Sequence, residues 1–281
     1  MGDLARQTMV TPADDGDDSD PAIRRFTAMV HPDWEIWGPE GGYVAAIALR
    51  AAGEASPFAR PASFFCHYLS VAAFEPVQLV VTPLRSGRTV LSQRVAMTQN
   101  GRPILDAMVW TVGEVDGLEH REVHPPDVSA PEELRSPSEI WPDRDATFTF
   151  WDNFEQRPID YVEHPPPPGP LAPVWRAWLR SVTALTHDDP WVDAARTLVV
   201  LDVMSWPAGH RPHAHYEHGF IAPSLDLYAS FQHSGLGEEW LLLDGYAPVA
   251  EQGLLSWNGR VWSQGGDLIA SGGGQAIFRH A

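Results

Sequence analysis

The sequence predicts an α+β chain built from one unit used twice, a single long helix followed by an antiparallel meander. Three observations carry this. The apolar run GGYVAAIALRAAG has helical spacing, opens on a glycine pair and is followed by four strand-like runs. Asn100-Gly101, a residue pair favoured in tight hairpin turns, separates two of those runs. The same layout returns on the order of 160 residues later, a period too long for a solenoid and suited to a duplicated unit.

The elements follow in order. Residues 1–24 include DDGDDSD and read as a disordered acidic tail. Residues 25–118 form the first unit. After its helix comes RPASFFCHYLSV, a β-rich run behind Pro61, then PVQLVVTPLRSGRTVLSQRVAMT, two strand-like runs joined at RSGR, and finally ILDAMVWTVG. Residues 119–174 form a proline-rich linker whose tetraproline can be neither helix nor central strand. Residues 175–281 form the second unit. There ARTLVVLDVMSWPAG reads as an apolar helix or strand–helix junction, FIAPSLDLYASFQ as a strand, and EEWLLLDGYAPVAEQGLLSWNGRVWS as two more. The turn QGGD and the strand LIASGGGQAIFR close it.

Composition removes several function classes. The formal net charge is −18 and all 19 basic residues are arginine. No basic stripe is present for nucleic acid, and without lysine there is no Schiff-base chemistry and no P-loop lysine. A coenzyme phosphate would have to be held by arginine or backbone N–H groups; Arg85, Arg88 and Arg102 lie near turns, and none stands out. The one cysteine, Cys66, lies in an apolar run and reads as a buried inert thiol. No apolar run reaches the roughly 18 residues of a membrane span, and the N-terminal stretch lacks a secretory core, so a cytoplasmic protein is expected.

The stretches GGYVAAIAL, RSGRTVLSQRVAMTQNGRPIL, FWDNFEQRPI and EEWLLLDGYAPVAEQG…GDLIASGGGQAIFR together resemble the acyl-CoA thioesterase II family and its thioesterase-like relatives. The resemblance spans the chain from about residue 35 onward. It implies a double hot-dog fold, two tandem repeats in each of which a long helix is wrapped by an antiparallel sheet. It also implies hydrolysis of an acyl-CoA thioester by base-activated water, without metal or organic cofactor, in a homodimer or larger assembly.

The resemblance further implies three catalytic residues, an Asp, a Thr or Ser, and a Gln. The Asp falls on Asp202 in LVVLDVMSWP, in a segment expected to begin the second helix. A carboxylate in such apolar surroundings is a candidate general base. The hydroxyl falls on Ser224, two places before Asp226; Leu227 stands where many relatives have His. Gln275 lies one place later than the family register, a slip that turns a strand side chain to the opposite face. Gly272, Gly273 and Gly274 suggest a bulge that restores it, so Gln275 is expected in the site. Gly41, Gly42 and Tyr43 are the substrate-binding candidates, with backbone N–H groups aimed at the thioester carbonyl.

Other readings remain. A non-catalytic acyl- or acyl-CoA-binding protein of the same fold would explain the shifted Gln275 and Leu227. A hydratase would need an Asp–His motif that is missing around Asp202. A metalloenzyme would use His210, His213, His215 and His218 in GHRPHAHYEHGF, but their spacing matches no ligand motif, and they read as a loop joining the Asp202 segment to Ser224.

Overall fold

The computed structural model describes residues 1–13, 21–143 and 148–280. The first half contains helix α1 (Leu4–Gln7), strands β1 (Thr11–Pro12) and β2 (Arg24–Met29), the long helix α2 (Gly41–Glu54), and strands β3 (Arg60–Tyr68), β4 (Pro76–Ser86), β5 (Val90–Gln99) and β6 (Arg102–Val112). A connecting segment follows with helix α3 (Pro137–Ile140) and strand β7 (Phe154–Pro158). The second half has β8 (Val174–Ser181), helices α4 (Pro190–Asp202) and α5 (Ser205–His210), then β9 (Phe220–Ile221), β10 (Asp226–Phe231), β11 (Trp240–Glu251), β12 (Leu254–Ser263), β13 (Leu268–Ile277) and β14 (Arg279–His280).

Among the described residues, twelve strands form one antiparallel sheet in the order β1-β2-β4-β5-β6-β3-β10-β13-β12-β11-β8-β7. The order β2-β4-β5-β6-β3 of the first half is matched by β8-β11-β12-β13-β10 of the second. The halves meet where β3 pairs with β10, Phe64 opposite Ala229. The two-residue hairpins β5–β6 and β11–β12 each turn through two residues of positive φ, Asn100-Gly101 and Gln252-Gly253, as the twist of an antiparallel pair demands.

Helix α2 is buried on all sides from Gly42 to Ala52, the state of a core helix that is apolar all round. It packs on β3, β4, β5 and β6, while α4 packs on β10, β12 and β13. The two helices lie antiparallel against each other inside the curled sheet. At one end, buried Arg50 of α2 pairs with Asp189, which also caps α4. At the other, the start of α2 meets the end of α4 at Asp202. A Cβ on Gly42 would come within 2.5 Å of the Leu198 carbonyl oxygen, so glycine is what lets the helices approach this closely. This is the double hot-dog arrangement.

Three expectations need correction. The acidic tail is not uniformly disordered. Leu4 and Val10 are buried, and Gln7 ties the segment down by accepting from Trp34 Nε1 at 2.8 Å and donating to Asp33 at 2.7 Å. The charge run DDGDDSD itself lies outside the described residues. The proline-rich segment is more than a linker: β7 pairs with β8, and Val123, Val128, Leu134 and Ile159 cover Trp178, Trp240, Leu242 and Trp262 on the outer face of the second half. The apolar area of those tryptophans holds the strap in place. Finally, Asp202 ends the second helix instead of beginning it, because α4 starts at Pro190 behind the Asp189 cap.

Candidate active site

Asp202 is 6 % exposed and lies at the carbonyl end of its own helix. That end disfavours a carboxylate, but the amide end of α2 faces it and compensates. Its Oδ2 accepts from the Gly42 amide at 3.1 Å, and its Oδ1 accepts from the Ser224 hydroxyl at 2.9 Å. Ser224 sits just before β10, held opposite Ala276 of β13 by an isolated bridge. The structure therefore brings together Asp202, Ser224 and Gly42, which are separated by 160 and 22 residues.

A second carboxyl, absent from the expected set, completes the group. Glu40, 3 % exposed, precedes α2 and hydrogen-bonds Asp202. Its Oε1 accepts from the Gly42 amide at 3.0 Å and its Oε2 from the Tyr43 amide at 2.6 Å. Burial, and then the neighbouring Asp202 charge, push the Glu40 carboxyl well above its ordinary value. Burial raises Asp202 as well, against the opposing hydrogen bonds from Glu40, Ser224 and Gly42. Burial thus pushes both carboxyls toward the protonated form, and Glu40 further through its neighbour Asp202.

From β3, the buried hydroxyl oxygen of Tyr68 reaches the same place. A Cβ built on Gly41 would lie 3.2 Å from Tyr68 Oη and 2.5 Å from Asp202 Oδ2, so Gly41 marks the meeting point of these groups. Cys66 is fully buried on the same strand, and burial raises its thiol well above the usual value; it is no nucleophile at neutral pH.

Two expected residues lie elsewhere. Gln275 is exposed, while Gly274 and Ala276 on either side of it are buried. The pairing of β12 with β13 runs unbroken from Ala270 to Ile277, so the glycine run makes no bulge against β12; against β10 the register shifts by one residue between Tyr228–Gly273 and Ser224–Ala276, and Gln275 still faces outward. The glycines serve close strand approach instead, since a Cβ on Gly272 or Gly274 would strike the main-chain carbonyl of Tyr228 or Asp226. Tyr43 also turns away: it is fully buried, stacks on Trp34 and donates its hydroxyl to the Gln7 carbonyl at 2.8 Å. Gly42 spends its amide on the two carboxyls, leaving none for a carbonyl of the substrate.

The histidine run lies in α5 and the turn after it. His210 and His218 contact each other and Trp206, and His218 stacks on Phe220. Among the described residues no group of three or more His, Cys, Asp or Glu side chains is arranged to hold a metal ion.

Sequence reasoning missed Glu40 and Tyr68. Glu40 had a signal, an acidic residue at the capping position before an apolar helix. Tyr68 had none, because its neighbours in the site come from α2 and α4.

A family model described as the acyl-CoA thioesterase N-terminal domain matches residues 30–112, and one described as the acyl-CoA thioesterase C-terminal domain matches residues 125–276. Among solved structures, the chain is similar to the acyl-CoA thioesterase II TesB2 from Mycobacterium marinum, with a TM-score of 0.77 and 20% identity over 99% of both chains. A hot dog fold protein from Alicyclobacillus acidocaldarius gives 0.80 and 19%, over 99% of this chain and 98% of that one. The tesB protein of Mycobacterium avium subs paratuberculosis gives 0.77 and 20% over 98% of both. At these identities the likeness establishes the shared fold, while the two family models span both halves. The chain belongs to the acyl-CoA thioesterase family and is a thioester hydrolase.

Proposed function

We propose that this hydrolase cleaves acyl-CoA with Asp202 as general base and Ser224 as the group that orients it and the attacking water. The observation that carries this reading is the Asp202 carboxylate itself, buried beside an apolar helix with one donor on each oxygen, Ser224 Oγ and Gly42 N. As water adds to the thioester carbonyl carbon, its proton passes to Asp202. The carbon–sulfur bond then breaks, the electron pair leaves on sulfur, and the thiolate recovers that proton. The products are a free acid and CoA, and the carboxylate is regenerated. Ser224 is no nucleophile in this scheme, since its hydroxyl is committed to a carboxylate and no histidine adjoins it. Gln275, facing solvent, takes no part.

The reading extends to setting and assembly. The lone buried cysteine fits a reducing cytoplasm. No described helix is long and apolar enough to cross a membrane. Met108, Phe65 and Tyr228 form an exposed row across β6, β3 and β10, an apolar strip suited to a homodimer contact.

The test measures thiol release from butyryl-, octanoyl- and palmitoyl-CoA. Asp202→Asn is expected to lower kcat by roughly 10²- to 10⁴-fold, the usual contribution of a general base. Unchanged turnover in that variant would remove Asp202 from the mechanism.

A further inference from the structure

Glu40 does more than an N-cap requires. Capping needs one side-chain oxygen on an early amide of the helix, and the shorter Asp is among the residues that do it best. Here a longer carboxyl uses both oxygens on α2, at Gly42 and Tyr43, and also contacts the carboxylate of another helix. Two buried carboxyls in contact cannot both be ionised without a cation between them. Retaining such a pair where an apolar contact would be cheaper points to function.

We propose that Glu40 is a positioning residue for the hydrolysis: its carboxyl, supplied by the first half of the chain, shares one proton with Asp202 and fixes the orientation of that base. The proposal rests on Asp202 being the base. Glu40 keeps its proton throughout turnover. With Gly42 N on Oδ2 and Ser224 Oγ on Oδ1, the Glu40 hydrogen bond is the third fixed contact of the Asp202 carboxylate. The groups that face the pair are Tyr68 and Cys66 from β3, Ser224 before β10, and the Gly42 amide of α2. Loss of the Glu40 proton at alkaline pH would set a second negative charge against Asp202 and disorder the base.

Three variants separate positioning from capping. Glu40→Asp keeps a good N-cap but withdraws the carboxyl from Asp202. It is expected to fold normally and to lower kcat by about 10- to 100-fold with little change in KM, the pattern of an interaction used in the transition state. Glu40→Gln keeps the length, and its amide donates to Asp202 without a proton to lose. It is expected to keep most of the neutral-pH kcat and to lose the alkaline fall expected of the wild type. Tyr68→Phe is expected to keep that fall. The assay is octanoyl-CoA hydrolysis across pH, with circular dichroism to verify folding. Wild-type kcat in Glu40→Asp, an unchanged alkaline limb in Glu40→Gln, or loss of that limb in Tyr68→Phe overturns the proposal. Full activity in Asp202→Asn would instead overturn the reading on which it rests.

Discussion

Glu40 and Asp202, one from each half of the chain, share the single backbone amide of Gly42, at 3.0 and 3.1 Å. That amide lies at the positive end of α2, and Asp202 lies at the negative end of α4. The antiparallel placement of the two helices therefore supplies the field that holds a carboxylate in an apolar core.

In the proposed mechanism Ser224 acts through its hydroxyl, which donates to Asp202 Oδ1 at 2.9 Å. Ser224→Ala removes the donor on Oδ1 and leaves Asp202 with one fixed oxygen. A loss in kcat of about 10- to 100-fold is expected, with Ser224→Thr close to wild type. Steady-state kinetics on octanoyl-CoA checks this, and an alanine variant as active as a threonine variant would exclude the role.

Gln275 is expected to be dispensable. Its side chain faces solvent, and its backbone amide, which donates to Asp226 Oδ1 at 3.1 Å, survives substitution. Gln275→Ala should leave kcat and KM unchanged within assay error. A large drop would mean that β13 changes register when substrate binds.

The two glycines of the pair should separate under substitution. A Cβ on Gly42 meets the Leu198 carbonyl and the Val199 Cα at 2.5 and 2.8 Å, both backbone, so the helices must part. Gly42→Ala is expected to cost about 2–3 kcal/mol, read from urea unfolding. A Cβ on Gly41 meets Asp202 Oδ2 and Tyr68 Oη, which are side-chain atoms of the site. Gly41→Ala should lose activity more than stability. Equal effects on both properties in both variants would refute this division.

Stability should depend on pH through the carboxyl pair. Glu40 has an ordinary value of 4.5 and is raised well above it in the folded chain, first by burial and then by Asp202. Between those values the folded state holds a proton that the unfolded state has released, so stability falls as pH rises. Glu40→Gln removes that proton from the balance. Its stability relative to wild type is expected to rise with pH above 4.5 and to level off past the folded value. Asp244, also raised by burial, titrates in both proteins and cancels in the difference. Parallel urea-midpoint curves against pH would show that Glu40 is ionised in the folded state.

Much of this protein was settled by local pattern. The apolar period of GGYVAAIALRAAG set the core helix, Asn100-Gly101 set a hairpin, and the recurrence of the layout set the duplication, because each depends only on residues near in sequence. Asp202 and Ser224 were legible through the resemblance of their segments to a family, and Glu40 only as a helix cap. Tertiary structure decided the rest. Whether Gln275 faced in or out depended on how closely β13 packs on β10, which the glycine run left open between a bulge and a tight approach. Tyr43 was drawn away by Trp34 and Gln7 of the N-terminal segment, and Tyr68 was brought in by the pairing of β3 with β10. The meeting of Glu40 with Asp202 arises from two helices crossing at a glycine, a contact between residues too far apart in the chain for any local pattern to record.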